Sequence, residues 1–245
     1  SQYKGAMPEH LLQKGSAELF ARYEAAGEGA VRYMTVSPEV EGVPAMVRDI
    51  AARVKVAIGH SGAEYDAAME CIANGAVSAT HTFNAMAPLH QHRPAIIGAA
   101  LESDVYCEMI CDGLHLHPAI VRLLWKTKGV ERLVAITDSI MAAGLPDGNY
   151  HLGVNQVVVE QGDAKLASDG TRAGSTLTQD RALRNLLAFT GLPLEQIVPV
   201  LTENPAKLIG VYDRKGSIED GKDADLVVLD AQHQVADVFL RGRRL

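Results

Sequence analysis

The chain has 245 residues, 47% hydrophobic and 22% charged, with 23 Lys and Arg against 30 Asp and Glu for a formal net charge of −7. That is an ordinary globular composition, large enough to bury a substantial core in one domain or in one domain with a small appendage. No basic run is longer than Arg241-Gly242-Arg243-Arg244, which argues against a nucleic-acid partner, and no apolar segment approaches the roughly 20 residues of a membrane span.

Residues 1–10 read as loop, and the spacing of Leu11, Leu12, Ala17, Leu19, Phe20 and Tyr23 predicts a helix from Leu11 to Glu28, closing near Gly27 and Gly29. A repeated pattern then begins. Val31–Val36 is a predicted strand followed by a helix from Val43 to Arg53. Val54–Ile58 is a strand ending in Gly59-His60, and Glu64–Asn74 is its helix, closed by Gly75. Val77–Thr80 ends in His81, and a long loop runs to Pro94 before a short apolar helical run, Ile96–Leu101. Asp104–Cys111 is a strand ending in Asp112-Gly113-Leu114-His115. Pro118–Lys128 is its helix, with proline in the first turn, and Arg132–Ile136 is a strand ending in Thr137-Asp138.

Strand, helix and strand at this length form a right-handed βαβ unit with parallel strands. Five such units predict a parallel sheet, either doubly wound or a (β/α)8 TIM-like barrel. No GxGxxG follows any strand, and polar residues gather at several consecutive strand ends, so the barrel is the expected architecture. Beyond Asp138, Asp147-Gly148 and Gly162-Asp163 flank Gln156–Glu160 and predict a β-hairpin. Helices follow at Thr176–Thr190 and Pro193–Glu203. The last thirty or so residues read as short strands with turns at Gly216, Glu219-Asp220-Gly221 and Ala231-Gln232. The expected division is a barrel unit over residues 1–213 and part of a small β-sandwich over 214–245.

No signal peptide opens the chain, and Cys71, Cys107 and Cys111 lack CxxC spacing, so they read as reduced, buried thiols of a cytoplasmic protein. The chemistry lies elsewhere. His60, His81, His115 and Asp138 stand at four neighbouring strand ends, and packing alone does not explain three histidines and an aspartate gathered there. Imidazole with carboxylate ligation suits zinc or iron(II), and an incomplete protein shell leaves room for water. A bound dication lowers the pKa of that water, and Asp138 is placed to take its proton and return it to a leaving group. The competing structural role for Asp138 is the N-cap of a helix over Ser139–Ala143.

Gly59-His60-Ser61, Ala79-Thr80-His81-Thr82-Phe83-Asn84-Ala85-Met86, Asp112-Gly113-Leu114-His115-Leu116-His117-Pro118 and Ile136-Thr137-Asp138-Ser139 together resemble the N-acetylglucosamine-6-phosphate deacetylases of the amidohydrolase superfamily. Ser168 to Ser175 and Gly221 to Val227 carry the resemblance to the end of the chain, and Thr-His-x-x-Asn-Ala-Met is its most specific part. The resemblance implies a (β/α)8 barrel with a small β-sandwich and a divalent metal, zinc before iron. The implied reaction is hydrolysis of the acetamido group of N-acetylglucosamine 6-phosphate to acetate and glucosamine 6-phosphate.

The resemblance also assigns residues. His60 and His81 match the metal ligands and Asp138 the acid/base. Ala6, Asn84, Ala85, His115, Arg172, Ala173 and Gly174 match substrate contacts. Either His92 or Arg93, in His90-Gln91-His92-Arg93-Pro94-Ala95, falls where the family holds phosphate, a contact that reaches into the neighbouring subunit of a homodimer. Met7 stands where a carbonyl-polarising His often lies. A His-x-His strand and a metal-binding Glu, which the family carries upstream of the segment matching Ser1, are not in this sequence. The resemblance therefore leads us to expect these residues to be a portion of a longer polypeptide. Two alternatives stand beside this reading: another amidohydrolase acting on a cyclic amide or dipeptide, and a non-catalytic fragment without the metal-binding Glu.

Overall fold

The computed structural model describes residues 2–245, and its centre is a five-stranded parallel sheet. After a 3-10 turn at Glu9–Leu11, α1 (Ala17–Ala26) leads to β1 (Tyr33–Val36). Strict alternation follows, through α2 (Val43–Ile50), β2 (Lys55–Ile58), α3 (Tyr65–Ala73), β3 (Ala76–Ala79), α4 (Ala95–Glu102), β4 (Tyr106–Ile110), α5 (Pro118–Lys128) and β5 (Leu133–Ile136). The strands stand in chain order, with Thr35 beside Ala57, Ala57 beside Ser78, Ser78 beside Tyr106 and Cys107 beside Leu133. Each helix is the crossover that a parallel pair requires, so every strand ends on the same side of the sheet.

Then come an antiparallel meander of β6 (Gly148–Leu152), β7 (Asn155–Glu160) and β8 (Asp163–Leu166), and the helices α6 (Gln179–Thr190), α7 (Leu194–Ile197) and α8 (Glu203–Leu208). The chain finishes in a second antiparallel sheet, β9 (Leu226–Leu229), β10 (Val235–Leu240) and β11 (Arg243–Arg244).

Alternation along the central strands separates two environments. Val36, Val56, Ile58, Ala79, Cys107, Met109 and Leu133 pack against Phe20, Val47, Ile50, Cys71, Ile96, Val121 and Leu124 of the helices in the main core. The three cysteines are free and buried, and burial pushes the Cys71 thiol up to about 12, so packing accounts for them. The opposite face is polar. The hydroxyls of Thr35 and Thr80 lie 2.8 Å apart, and the Tyr33 hydroxyl donates to Glu108. Towards β5 that face turns apolar, where Ile110 and Ile136 meet Leu177 and Ala182.

Most expected elements are present with ends moved by one to three residues, and the larger differences have local causes. The first helix starts only after Ser16, whose hydroxyl accepts the Leu19 N–H at 3.2 Å as an N-cap. Leu11 and Leu12 therefore lie outside it, 61% and 40% exposed. The predicted hairpin gains a third strand, β8. The helix expected over Pro193–Glu203 breaks after Ile197 into a 3-10 turn at Val198–Leu201. Pro199 lacks a donor and crowds the carbonyl of the preceding turn. No helix covers Ser139–Ala143, so Asp138 is not an N-cap.

Candidate active site

At the ends of β2 and β3 the backbone makes an unusual turn. His60 and His81 have φ of 47° and 32°, and Asp138, just beyond β5, has 49°. Non-glycine residues adopt this left-handed region only when their surroundings impose it, and such residues cluster at functional sites. Gly59 allows the approach, because a Cβ there would lie 2.9 Å from the Thr80 Cβ and 3.1 Å from the Thr35 Cγ2.

The two imidazoles meet edge to face, with ring centroids 4.6 Å apart and Nε2 to Nε2 at 2.9 Å. His60 Nδ1 lies 3.1 Å from the carbonyl oxygen of Tyr3, which can only accept, so Nδ1 donates there and Nε2 is the nitrogen turned towards His81. His81 Nδ1 is buried with no partner among the described residues. Burial, reinforced by the neighbouring His60, pushes the His81 pKa down to about 4, so this ring is neutral at physiological pH. An Nδ1–H anchored on a backbone carbonyl with a free Nε2 is the usual arrangement of a metal-bound imidazole. The residues fit a divalent cation as far as they go. They supply two nitrogen donors, where catalytic zinc sites use three protein ligands. No group of three or more His, Cys, Asp or Glu side chains able to hold an ion occurs among the described residues.

Asp138 lies just beyond the end of β5, two strands along the sheet from His81. Burial raises its carboxyl pKa, and the nearby His115 and His60 pull in the opposite direction, which places both rings within electrostatic reach. Its main chain is held by the loop that carries Gly174 and Ser175. Ser175 N–H donates to Asp138 O at 2.7 Å, the Ser175 hydroxyl donates to Thr137 O, and Ile140 N–H returns to Ser175 O at 2.9 Å. Gly174, at φ 64°, is required here: a Cβ would lie 2.7 Å from Asp138 O. His115 is fixed by Asp112, whose Oδ2 accepts Nδ1–H at 2.6 Å and whose Oδ1 accepts the N–H groups of Leu114 and His115 at 2.8 Å. Burial acts to raise the Asp112 pKa, but the His115 and Leu114 hydrogen bonds outweigh it and the pKa is lowered.

The other expected residues divide into two groups. Asn84 and Ala85 lie in the turn after His81, where Asn84 N–H donates to His81 O at 2.9 Å and Ala85 O accepts Ser61 N–H at 2.9 Å. This turn therefore knits the ends of β2 and β3 together. Ala6 lies against the meander, with its carbonyl accepting Asn155 Nδ2–H at 2.9 Å and its side chain packed on the buried cluster that includes Val157, Val159 and Ala173. Gly5 faces His60, to whose Cε1 a Cβ would come within 3.0 Å. Arg172 directs its guanidinium away to Asp163, at 2.8 and 3.0 Å, leaving its backbone to the site loop. His92 and Arg93 are not brought to the imidazole pair. Both are exposed, and Arg93 pairs with Glu64 just before α3.

Sequence reasoning overlooked Glu108 and Tyr33. Glu108 is 5% exposed, accepting the Tyr33 hydroxyl on Oε1 and the His81 N–H on Oε2 at 3.1 Å. The available signal was a single charge inside Tyr-Cys-Glu-Met-Ile-Cys, which alternation alone assigns to a wet face.

The amidohydrolase family matches residues 21–245. N-acetylglucosamine-6-phosphate deacetylase of Bacillus subtilis (strain 168) is 37% identical over 97% of this chain and 60% of its own length. N-acetylgalactosamine-6-phosphate deacetylase of Escherichia coli O157:H7 is 34% identical over 99% of this chain and 64% of its own. Among solved structures, an Asp-to-Ala mutant of the Mycobacterium smegmatis N-acetyl-D-glucosamine-6-phosphate deacetylase, in complex with N-acetyl-D-glucosamine-6-phosphate, superposes with a TM-score of 0.95 at 37% identity. It is covered to 65%, and this chain to 99%. The chain thus spans 60–65% of the length of these proteins.

Proposed function

The chain belongs to the amidohydrolase family, and on that footing we propose that its protein hydrolyses the acetamido group of N-acetylglucosamine 6-phosphate to acetate and glucosamine 6-phosphate. The observation that carries this reading is the convergence of the His60 and His81 Nε2 atoms, 2.9 Å apart, at a strand mouth shared with Asp138. His60 and His81 would hold a divalent metal through their imidazoles, zinc before iron, and that ion would supply Lewis-acid polarisation of the amide carbonyl and a water of lowered pKa. Asp138 takes the proton of that water, and its burial-raised pKa suits it to hand the proton to the departing amine nitrogen. His115, locked by Asp112 with its proton on Nδ1, turns Nε2 to the sugar.

Asn84, Ala85 and the backbone of Ala6 and of Arg172, Ala173 and Gly174 shape the remaining wall. His92 or Arg93 is the phosphate contact, reaching across a homodimer, which accords with their outward placement. We further place residues 1–213 in a (β/α)8 barrel unit and 214–245 in a small β-sandwich, supported by the parallel order of β1 to β5 and the separate β9 to β11 sheet. The buried free cysteines support a cytoplasmic setting. No helix among the described residues is long and apolar enough to cross a membrane.

The galactosamine epimer is the second reading, favoured by the 34% identity to the E. coli enzyme. Acetate release from the two sugar phosphates and from unphosphorylated N-acetylglucosamine, with zinc supplied and with chelator, tests both. Metal-dependent release confined to the phosphorylated sugars is expected. Equal turnover of the unphosphorylated sugar points to a different amidohydrolase, and no release from any sugar overturns the assignment.

A further inference from the structure

Glu108 takes no part in the reaction above, yet it is a carboxylate set in the middle of an apolar strand. Such a group is tolerated only when its oxygens are occupied. Here both are, and by partners from two other strands. The Tyr33 hydroxyl of β1 donates to Oε1, and the backbone N–H of His81, just past β3, donates to Oε2 at 3.1 Å. The main chain of Glu108 joins in, since its carbonyl accepts the next N–H, that of Thr82, at 2.9 Å. Two successive donors of one turn are thus held by one residue. That turn carries His81 at φ 32°, a conformation the ladder of a regular strand would not support.

We propose that Glu108, braced by Tyr33, is the positioning residue for His81: it holds the strained turn that aims the His81 imidazole at His60. The inference rests on reading His81 as a metal ligand. Glu108 acts through the backbone of a ligand rather than through the outer nitrogen of its ring. The outer nitrogen, His81 Nδ1, makes no well-formed hydrogen bond among the described residues, although the His81 and Asn84 main chain lies near the ring. Tyr33 keeps the carboxylate from rotating away, so removing either group lets the turn relax and the ring drift.

The test measures zinc affinity by competition with a chromogenic chelator, beside far-UV circular dichroism and thermal melting of the metal-free protein. Glu108→Leu should retain the fold and lose about 10- to 100-fold in zinc affinity. In Glu108→Gln the amide oxygen still accepts the His81 N–H while the amide N–H faces the Tyr33 oxygen, so affinity should stay within about three-fold. Tyr33→Phe should fall between the two. A folded Glu108→Leu protein that binds zinc as tightly as the parent overturns the proposal, and so does a Gln variant as weak as the Leu variant. Should Glu108→Leu fail to fold, unchanged affinity in Tyr33→Phe overturns it instead. A parent protein that binds no zinc defeats the metal reading and this one with it. Tight binding in both the parent and the Leu variant defeats only the positioning role.

Discussion

At the scale of single residues, the sharpest expectation concerns Asp138. Replacing it with Asn removes the proton acceptor and leaves both imidazoles in place, so turnover should fall about a thousand-fold with metal content unchanged. Elemental analysis beside an acetate assay checks both halves. Burial raises the Asp138 pKa while His115 and His60 oppose it, so the base protonates above the ordinary aspartate range. Activity is then lost as pH falls through that raised value. His115→Ala removes the neighbour that acts most strongly against the burial-raised Asp138 pKa, so the acid limb of the kcat/KM profile should move to higher pH. An unmoved limb would detach the two groups. Asp112 has the opposite sign: its folded pKa is lowered, so its stabilisation is complete above the unfolded value and fades as pH falls through the folded one. Asp112→Asn should therefore cost about 2 kcal/mol near neutrality, shrinking towards pH 3, as read by urea unfolding across that range. The histidines and Asp138 were legible because each is a polar residue ending an apolar run. Glu108 was not, since its partners come from residues 33 and 81 and no local pattern contains them.

At the scale of elements, the strands and their helices could be read from alternation and glycine stops, because those signals are local. What could not be read is how loops far apart in sequence become one wall. The loop after the meander is seated on the end of β5 through Ser175, and it passes so close that residue 174 has no room for a side chain. Gly174→Ala combines a backbone clash with a left-handed φ of 64°, and should cost about 1–3 kcal/mol in stability while displacing the Asp138 backbone. Thermal melting together with turnover measures it, and near-parent values for both would show that the loop yields freely. The opposite wall is tied to the meander by Asn155 Nδ2–H to Ala6 O at 2.9 Å. Asn155→Ala should lower stability by about 1 kcal/mol. It should raise KM more than it lowers kcat, because it frees the loop that covers His60 without touching the reacting groups.

At the scale of the molecule, two surfaces are unfinished among the described residues. β1, like β5 at the opposite edge, pairs with a strand on one side only, and the β9 to β11 sheet leaves much of its apolar surface exposed. Val227 and Val228 are neighbours on β9, so they point to opposite faces, and they are 59% and 44% exposed. Val235 and Leu240 on β10 add 43% and 52%. Leu229 packs against the main core, yet both faces of that sheet leave apolar side chains exposed, and a small antiparallel sheet with so little packed surface has little stability of its own. Contiguous apolar side chains of this kind favour association over solvation even at a net charge of −7. A polypeptide of these 245 residues should therefore bind anilinonaphthalene sulfonate while still folded, and its sedimentation coefficient should rise with concentration. Val228→Lys and Val227→Lys, one on each face, should each reduce dye binding, and the pair should restore concentration-independent sedimentation. Low dye fluorescence and a constant sedimentation coefficient in the parent chain would mean that the sheet finds cover by folding back on the body. The measurement thus separates an incomplete surface from a mobile one.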